Sequence, residues 1–342
     1  MATFQEFLTQ SPAILGEGAV IERLRRDPGI QLDDHVVNSA LIYGEPGRAA
    51  LETIYRQYLA IGQRYRLPLL LSTPTWRAGR DRIAAAGLAG RDLNGDNARF
   101  LAELRDGSGD YARQVAICGL MSCRGDAYKP DEAMSADAAA EFHAWQADAL
   151  AAAGVDFLLA ATLPALSEAI GLARAQAATG LPYVISFVAR REGTLLDGTP
   201  LSVAIATIDA AVAPSPLAYL VNCTHASIFR SALLNERNSS PLVKQRVIGL
   251  LANTAALSPE ELNERIELVE EAPEIFGRSV AALRSELGMK VLGGCCGTDQ
   301  RHIECLARAL LSAPDRDLGA VCQPHRPSPP GDPRPDVTAC GS

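Results

Sequence analysis

Three cysteines in this chain are placed where their thiol groups could hold a metal ion together. Cys223 ends an apolar segment, in Val221-Asn222-Cys223-Thr224-His225, while Cys295 and Cys296 stand side by side in Gly293-Gly294-Cys295-Cys296-Gly297-Thr298. Thiolate is a soft ligand, and three thiolates that leave one coordination position open are typical of a catalytic zinc ion. The flanking glycines give the backbone the freedom to aim two adjacent sulfurs at one point. A vicinal disulfide between Cys295 and Cys296 is the alternative.

The other five cysteines lack this setting. We expect Cys118, Cys123 and Cys305 to be core residues, because free cysteine is among the most buried side chains. Cys322 and Cys340 flank a proline-rich stretch and have no predicted role. The first 20 residues lack the basic start of a secretory signal. We therefore expect a cytoplasmic protein whose thiols are free or metal-bound.

Eight short apolar segments must position these thiols. Their near-continuous apolar character is typical of buried parallel strands. They are residues Ala13–Glu17, Leu67–Thr73, Val115–Leu120, Val155–Ala160, Pro182–Val188, Ala218–Cys223, Val247–Asn253 and Met289–Gly294.

Segments of helical periodicity alternate with these strands. They include Gly47–Tyr65, Ala136–Ala153, Leu166–Thr179, Pro259–Leu287 and Gln300–Leu311, and Ser258 before Pro259 is a predicted N-cap. Eight such repeats predict a single-domain (β/α)8 barrel, the TIM barrel, whose active site lies at the carboxyl ends of the strands. An open doubly wound sheet is the alternative. It is disfavoured because no Gly-x-Gly-x-x-Gly fingerprint follows an early strand.

The charge and hydrophobicity of the chain disfavour nucleic acids and membranes as partners. The chain has 342 residues and a net charge of −8, which disfavours binding to nucleic acid or to an anionic membrane surface. Its longest uncharged apolar run is about ten residues, whereas a membrane span needs roughly 20. We expect the barrel to occupy residues 1–321. Residues 322–342, with six prolines, are expected to be an extension outside the core.

The cysteine motifs resemble those of the homocysteine S-methyltransferase family. The similarity extends over roughly residues 12–315, and its most specific element is the Gly-Gly-Cys-Cys-Gly-Thr sequence that begins at Gly293. The resemblance implies a (β/α)8 barrel and Zn²⁺ held by Cys223, Cys295 and Cys296. It also implies methyl transfer to a thiol and assigns Glu17, Gly18 and Asn222 to substrate binding.

The chemistry suits these ligands. A thiol is mostly protonated at neutral pH, whereas the thiolate is the nucleophile, and zinc would bind it deprotonated. Three thiolates on Zn²⁺ carry a net charge of −1, and a fourth makes it −2, so the site should attract a cationic methyl donor. The partners are then two small molecules, a thiol acceptor and a methyl donor. Homocysteine, giving methionine, is the leading acceptor.

Other side chains are candidates for supporting roles. Trp76, Tyr43 or Tyr128 could face the cation of the donor. Among the histidines, His225 could be hydrogen bonded to a zinc ligand. His143 is expected to be a packing residue, and His302 a surface residue or a neighbour of the metal site.

Two positions differ from the family pattern. Glu17 stands where the family has Asp, and Ala161 stands where the family has Glu before Thr-(Ile/Leu)-Pro. In the family, both carboxylates face the ammonium group of the acceptor. The loss of one at Ala161 should weaken recognition of an α-amino acid.

Three alternative functions follow. The acceptor could be a different thiol or a selenol, or the barrel could bind zinc without turning over homocysteine. Retention of all three cysteines disfavours the second. A Schiff-base or zinc aldolase on the same barrel is the third. It is disfavoured because Lys129, Lys244 and Lys290 are the only lysines and none ends a predicted strand. The donor and the oligomeric state are left open.

Overall fold

The computed structural model describes residues 3–258, 261 and 270–312. Its centre is a closed barrel of eight parallel strands in sequential order, in which β1 also pairs with β8. The strands are β1 Ile14–Gly16, β2 Leu69–Ser72, β3 Val115–Met121, β4 Phe157–Leu163, β5 Tyr183–Phe187, β6 Ala218–His225, β7 Val247–Asn253 and β8 Val291–Gly294. The predicted single-domain (β/α)8 fold is confirmed, and the open sheet is excluded.

Helices cover the outside of the barrel. They are α1 Phe4–Gln10, α2 Ile21–Arg25, α3 Gly47–Tyr65, α4 Arg80–Ala85, α5 Leu93–Asp106, α6 Ala136–Ala152, α7 Leu166–Ala178, α8 Leu201–Ala211, α9 Ala226–Leu234, α10 Pro241–Arg246, α11 Pro273–Leu287 and α12 Gln300–Ser312. Short 3-10 turns lie at Ser39–Tyr43, Gly109–Gln114, Pro130–Glu132 and Glu236–Asn238. No helix in the described ranges is long and apolar enough to cross a bilayer.

One predicted helix is wrong as a continuous element. Ser258 forms the predicted cap, since its Oγ accepts from the Glu261 amide at 3.3 Å while Glu261 Oε2 accepts from the Ser258 amide. Residues 270–272 are not helical, however, and α11 begins at Pro273. Proline has no N–H and is tolerated only in the first turn of a helix, which is the position that Pro273 has in α11.

Helix α1 closes the amino-terminal end of the barrel, which the sequence patterns did not predict. Thr3 and Glu6 form a capping box, and Phe4 and Phe7 are buried. The Phe4 ring stacks on Phe157 of β4 with 4.1 Å between centroids. These rings complete the interior cluster that includes Ile14, Leu70, Ala116, Phe157, Leu159, Val184, Leu220 and Val291. The site must therefore lie at the opposite, carboxyl-terminal mouth.

The larger part of the core lies between strands and helices. It includes Leu15 and Leu69 from the strands and Tyr55 and Tyr58 from α3. The predicted boundary at residue 321 and the proline-rich extension 322–342 fall outside the described residues.

We expect Phe4→Ala to destabilise the barrel strongly, because it empties the stacked contact at the closed end. Truncation of a buried Phe costs about 3–5 kcal/mol. Urea unfolding measures the change. The matched control is Leu234→Ala, whose side chain is 58% exposed and which should change stability by less than about 0.5 kcal/mol. Equal stability of the two variants would show that α1 does not close the barrel.

Candidate metal centre at the barrel mouth

The three cysteines singled out from the sequence converge at the carboxyl-terminal mouth. The Sγ atom of Cys223 lies 2.8 Å from that of Cys295 and 4.0 Å from that of Cys296, and all three sulfurs lie within 4.8 Å of one another. With Zn–S bonds of about 2.3 Å, sulfurs on a tetrahedral zinc lie roughly 3.8 Å apart. The observed separations bracket that value. The cluster could therefore bind a metal ion.

The backbone at Cys223 is strained. The residue has φ +50°, and the register between β6 and β7 shifts between Asn222 and Thr224. Thr162 on β4 has φ +60° at a similar shift between Ala160 and Leu163. Such left-handed non-glycine residues cost about 1–3 kcal/mol each and concentrate at functional sites, where a bulge aims a side chain.

The Asn222 side chain connects the two strained positions. Its Oδ1 accepts from the Thr162 amide at 2.8 Å and from the Ser186 hydroxyl at 2.7 Å, and its Nδ2 donates to Thr162 Oγ1 at 2.7 Å. Asn222 is buried, and these protein groups use its amide. Asn222 therefore holds β4, β5 and β6 in place around Cys223. The contact of Asn222 with substrate, expected from the sequence, stays a prediction.

A tight turn after β8 presents the cysteine pair. The Cys295 amide donates to Ala252 O at 2.7 Å, and the Cys296 amide donates to Asn253 Oδ1 at 3.1 Å. Gly297 has φ +83°, and a Cβ there would collide with Thr254 Oγ1. Only glycine fits this turn without strain. Both neighbouring sulfurs are thus fixed toward Cys223.

The pKa of Cys223 differs in direction from those of Cys295 and Cys296. Hydrogen bonds from the Cys295 and Cys296 thiols lower the pKa of Cys223 well below its ordinary value. The same hydrogen bonds raise the pKa values of Cys295 and Cys296, because ionisation would remove them. The protein alone thus favours one thiolate shared by two thiols. A cation at the cluster would favour ionisation of all three.

Glu17 lies at the end of β1. Its Oε1 accepts from the Ser72 amide at 3.2 Å, while its buried Oε2 has no hydrogen-bond partner. Burial raises the pKa of this carboxyl to about 8. A Cβ on Gly18 would meet the Tyr58 hydroxyl and Ile303, so Gly18 faces the helices. Ala161 is buried among the barrel-interior residues.

The histidines have structural roles. His143 and Glu168 form a buried pair at 2.9 Å, as expected of a packing residue. The predicted surface position of His302 is wrong, because the residue is fully buried and its ring bonds with Asp299 and Glu271 O. His225 caps α9 through Nδ1, which accepts from the Ser227 amide. In the described part of the chain, it has no hydrogen bond to the three cysteines.

The remaining cysteines lie apart from the cluster. Cys118 and Cys123 are buried, as predicted, and burial raises the pKa of Cys118 above its ordinary value. Cys305 is not a core residue. It lies partly exposed on α12 and accepts from the Arg308 guanidinium at 3.5 Å.

The elevated pKa of Glu17 predicts a pH-dependent stability. The unfolded chain loses this proton near pH 4.5, whereas the folded protein holds it up to about pH 8. The stabilisation by the neutral carboxyl is therefore fully present below about pH 4.5 and is lost as the pH rises toward 8. Glu17→Gln, which stays neutral, should gain stability relative to the parent protein across that window. Denaturant unfolding at several pH values measures the difference, with the exposed Glu141→Gln as control. A difference that stays flat would contradict the neutral carboxyl.

Comparison with known proteins identifies the family. A family model described as homocysteine S-methyltransferase matches residues 14–310. Homocysteine S-methyltransferase YbgG of Bacillus subtilis is 26% identical over 327 residues, covering 90% of this chain and 97% of that protein. Betaine–homocysteine S-methyltransferase 1 of Bos taurus is 23% identical over 331 residues, covering 91% of this chain and 75% of that protein.

A solved structure confirms the fold. The metallated form of the homocysteine methyltransferase MmuM from Escherichia coli superposes with a TM-score of 0.69 at 22% identity, covering 88% of this chain and 98% of that one. The family match spans most of the chain and includes the three converging cysteines. This protein therefore belongs to the homocysteine S-methyltransferase family, a family of transferase enzymes that act on small molecules.

Proposed function

We propose that this protein is a zinc-dependent S-methyltransferase that moves a methyl group from a cationic donor to the sulfur of homocysteine, giving methionine. The observation that carries the proposal is the convergence of three cysteine sulfurs within 4.8 Å at the active-site end of the barrel. Similarity to proteins named for homocysteine methylation, one of them solved in a metallated form, supports it.

The three cysteines fit a zinc ion by their chemistry as well as their spacing. All three donors are sulfur, which selects soft or borderline metals over magnesium or calcium. Three protein ligands leave a fourth position for a substrate, as catalytic zinc sites do. When bound there, zinc would supply a Lewis acid that keeps an acceptor thiol ionised at neutral pH.

The protein's own side chains would set the conditions for the transfer. The acceptor sulfur attacks the methyl carbon and a C–S bond forms. The bond from that carbon to the donor's cationic sulfur or nitrogen breaks, and its electron pair stays on the donor, which leaves neutral. Val188 and Leu196 pack beside Cys223, so the reacting atoms meet an apolar wall. Opposite charges that cancel in the transition state interact more strongly where water is excluded.

Glu17 would recognise the amino group of the acceptor. Its Oε2 is buried and unpartnered, so an ammonium group placed there would gain a charge-assisted hydrogen bond and draw the proton off the carboxyl. Ala161 offers no second carboxylate. Of the two positions where the family has a carboxylate, 17 and 161, only position 17 can therefore bind the ammonium group of an α-amino acid.

The metal assignment predicts about one zinc per chain in protein purified without chelator. Cys223→Ser, Cys295→Ser and Cys296→Ser should each lose the zinc on dialysis and lose methylation of homocysteine by a methyl-sulfonium donor. Elemental analysis and methionine formation measure the two effects.

Cys118→Ser is the matched control, because that thiol is buried in the barrel away from the cluster. It should keep both zinc and activity. A triple variant of Cys223, Cys295 and Cys296 that retained full zinc content would refute the assignment.

The acceptor assignment predicts a selective loss in Glu17→Ala. A charge-assisted hydrogen bond contributes about 1.5–3 kcal/mol, which corresponds to about 10- to 150-fold. The variant should lose that factor in kcat/KM for homocysteine but not for 4-mercaptobutanoate, which has no amino group. Ala161→Glu should raise the preference for homocysteine.

If the parent enzyme strongly prefers homocysteine and Ala161→Glu lowers that preference, another residue holds the ammonium group. Better turnover of the mercapto acid than of homocysteine by the parent enzyme would point to a different natural thiol.

A further inference from the structure

Three aromatic side chains are candidates for the cation of the donor, and the structure separates them. An arginine already lies over the ring of two. The Arg77 guanidinium is 4.3 Å from the centre of the Trp76 ring, and that of Arg91 is 4.9 Å from the centre of the Tyr43 ring. Cation–π contacts form within about 6 Å. One face of each ring therefore already carries a cation.

Tyr128 lies instead at the cysteine cluster. Together with Cys295 and Cys296, it packs against the group formed by Val188, Leu196 and Cys223, and it is partly exposed. Its side chain thus lies against the group that contains Cys223. Over the described ranges, no arginine or lysine lies above its ring.

The loop between β3 and α6 holds Tyr128 in this position. The Tyr128 amide donates to Asp126 Oδ1, and the Asp126 amide donates to Glu132 Oε2, each at 2.9 Å. Arg77, in the loop after β2, donates to Gly125 O at 2.6 Å. The aromatic ring is thus fixed at the barrel mouth by the loop that carries it.

We propose that the ring of Tyr128 binds the methylated cation of the donor, a sulfonium or quaternary ammonium group, and presents its methyl carbon to the sulfur cluster. The inference rests on the proposed function and names the residue that selects the donor. It follows from the position of Tyr128, the one ring among the three candidates that packs against the group containing Cys223 and that, over the described residues, has no arginine above it.

An aromatic ring suits this step better than a carboxylate would. It stabilises a methylated cation without adding a formal charge beside the thiolates. Once the methyl group has left, the donor is a neutral sulfide or tertiary amine and no longer makes the cation–π contact. The ring therefore binds the substrate more tightly than the product and favours product release.

The test compares binding of cations with binding of their neutral carbon isosteres to the zinc-loaded protein, by titration calorimetry. One pair is trimethylammonioacetate and 3,3-dimethylbutanoate. The other is 3-dimethylsulfoniopropanoate and 4-methylpentanoate. The two pairs distinguish an ammonium from a sulfonium donor. The variants are Tyr128→Phe, Tyr128→Leu and, as matched control, Tyr43→Leu.

We expect the parent protein to prefer the cation of at least one pair by about 5- to 30-fold, the range that corresponds to a cation–π contact. Tyr128→Phe and Tyr43→Leu should keep this preference. Tyr128→Leu should lose it and should raise the KM of the donor by a similar factor, with zinc content and the KM of the thiol unchanged.

Other outcomes overturn the inference. If Tyr128→Leu keeps the preference while the parent enzyme methylates thiols, the donor binds elsewhere and only this inference fails. If Tyr128→Phe loses the preference, the hydroxyl and not the ring is responsible. A parent protein that neither methylates a thiol nor prefers a cation refutes the proposed function as well.

Discussion

The crowding of three sulfurs at one point is the constraint on which the mouth of this barrel depends. Two thiolates about 4 Å apart would repel by roughly 4 kcal/mol at the effective dielectric of a protein surface, so without a cation only one of the three thiols is expected to ionise. The cysteines stay together because their backbones are held by other groups. Cys223 adopts a left-handed conformation, and the turn that carries Cys295 and Cys296 is bonded to the end of β7. The backbone of the barrel mouth thus fixes the positions of all three sulfurs.

Hydrogen bonds to the neighbouring strands β4 and β5 stabilise the strained backbone next to Cys223. Asn222 accepts from the amide of Thr162, which is also left-handed, and from the hydroxyl of Ser186. One buried amide thereby connects the two bulges and is the hydrogen-bond partner of the Thr162 N–H. Asn222 Nδ2 also donates to the Cys223 sulfur at 3.5 Å, so loss of that amide would disturb the position of Cys223 both directly and through the backbone.

Close approach of β8 to β1 supplies the other half of the arrangement. A Cβ on Gly293 would lie 2.6 Å from the Cα of Gly16, so glycine is required where the two strands meet and the barrel closes. The Thr298 hydroxyl donates to Cys295 O at 2.6 Å and accepts from the Ala19 amide at 3.0 Å. The segments that follow β1 and β8 are thereby joined, and these hydrogen bonds anchor the turn of Cys295 and Cys296 to the barrel.

Features of the barrel and its mouth that depend on local sequence patterns could be predicted, whereas features that depend on contacts between distant residues could not. The strands were predicted because a buried strand is apolar along its whole length, and the cysteines because glycine and strand ends mark the cluster. Helix α1 was missed because its role comes from contacts with Phe157 and not from its own short pattern. The left-handed Thr162 has no local signal, since a β-branched residue disfavours that conformation and its amide is bonded to Asn222, 60 residues away.

The same distinction applies to substrate recognition. Position 17 keeps a carboxyl group, but burial raises its pKa to about 8, so it is mostly neutral at pH 7. The sulfur cluster, by contrast, would carry negative charge whenever a divalent cation is bound. The two ends of the site thus demand different charges of their ligands. Under the proposed function, a permanent cation would be attracted to the sulfurs, whereas the ammonium group of the acceptor would draw the proton off Glu17. The two sites would then keep donor and acceptor apart, because an ammonium group can donate hydrogen bonds to Glu17, whereas a sulfonium or quaternary ammonium group has no N–H and is suited to an aromatic ring.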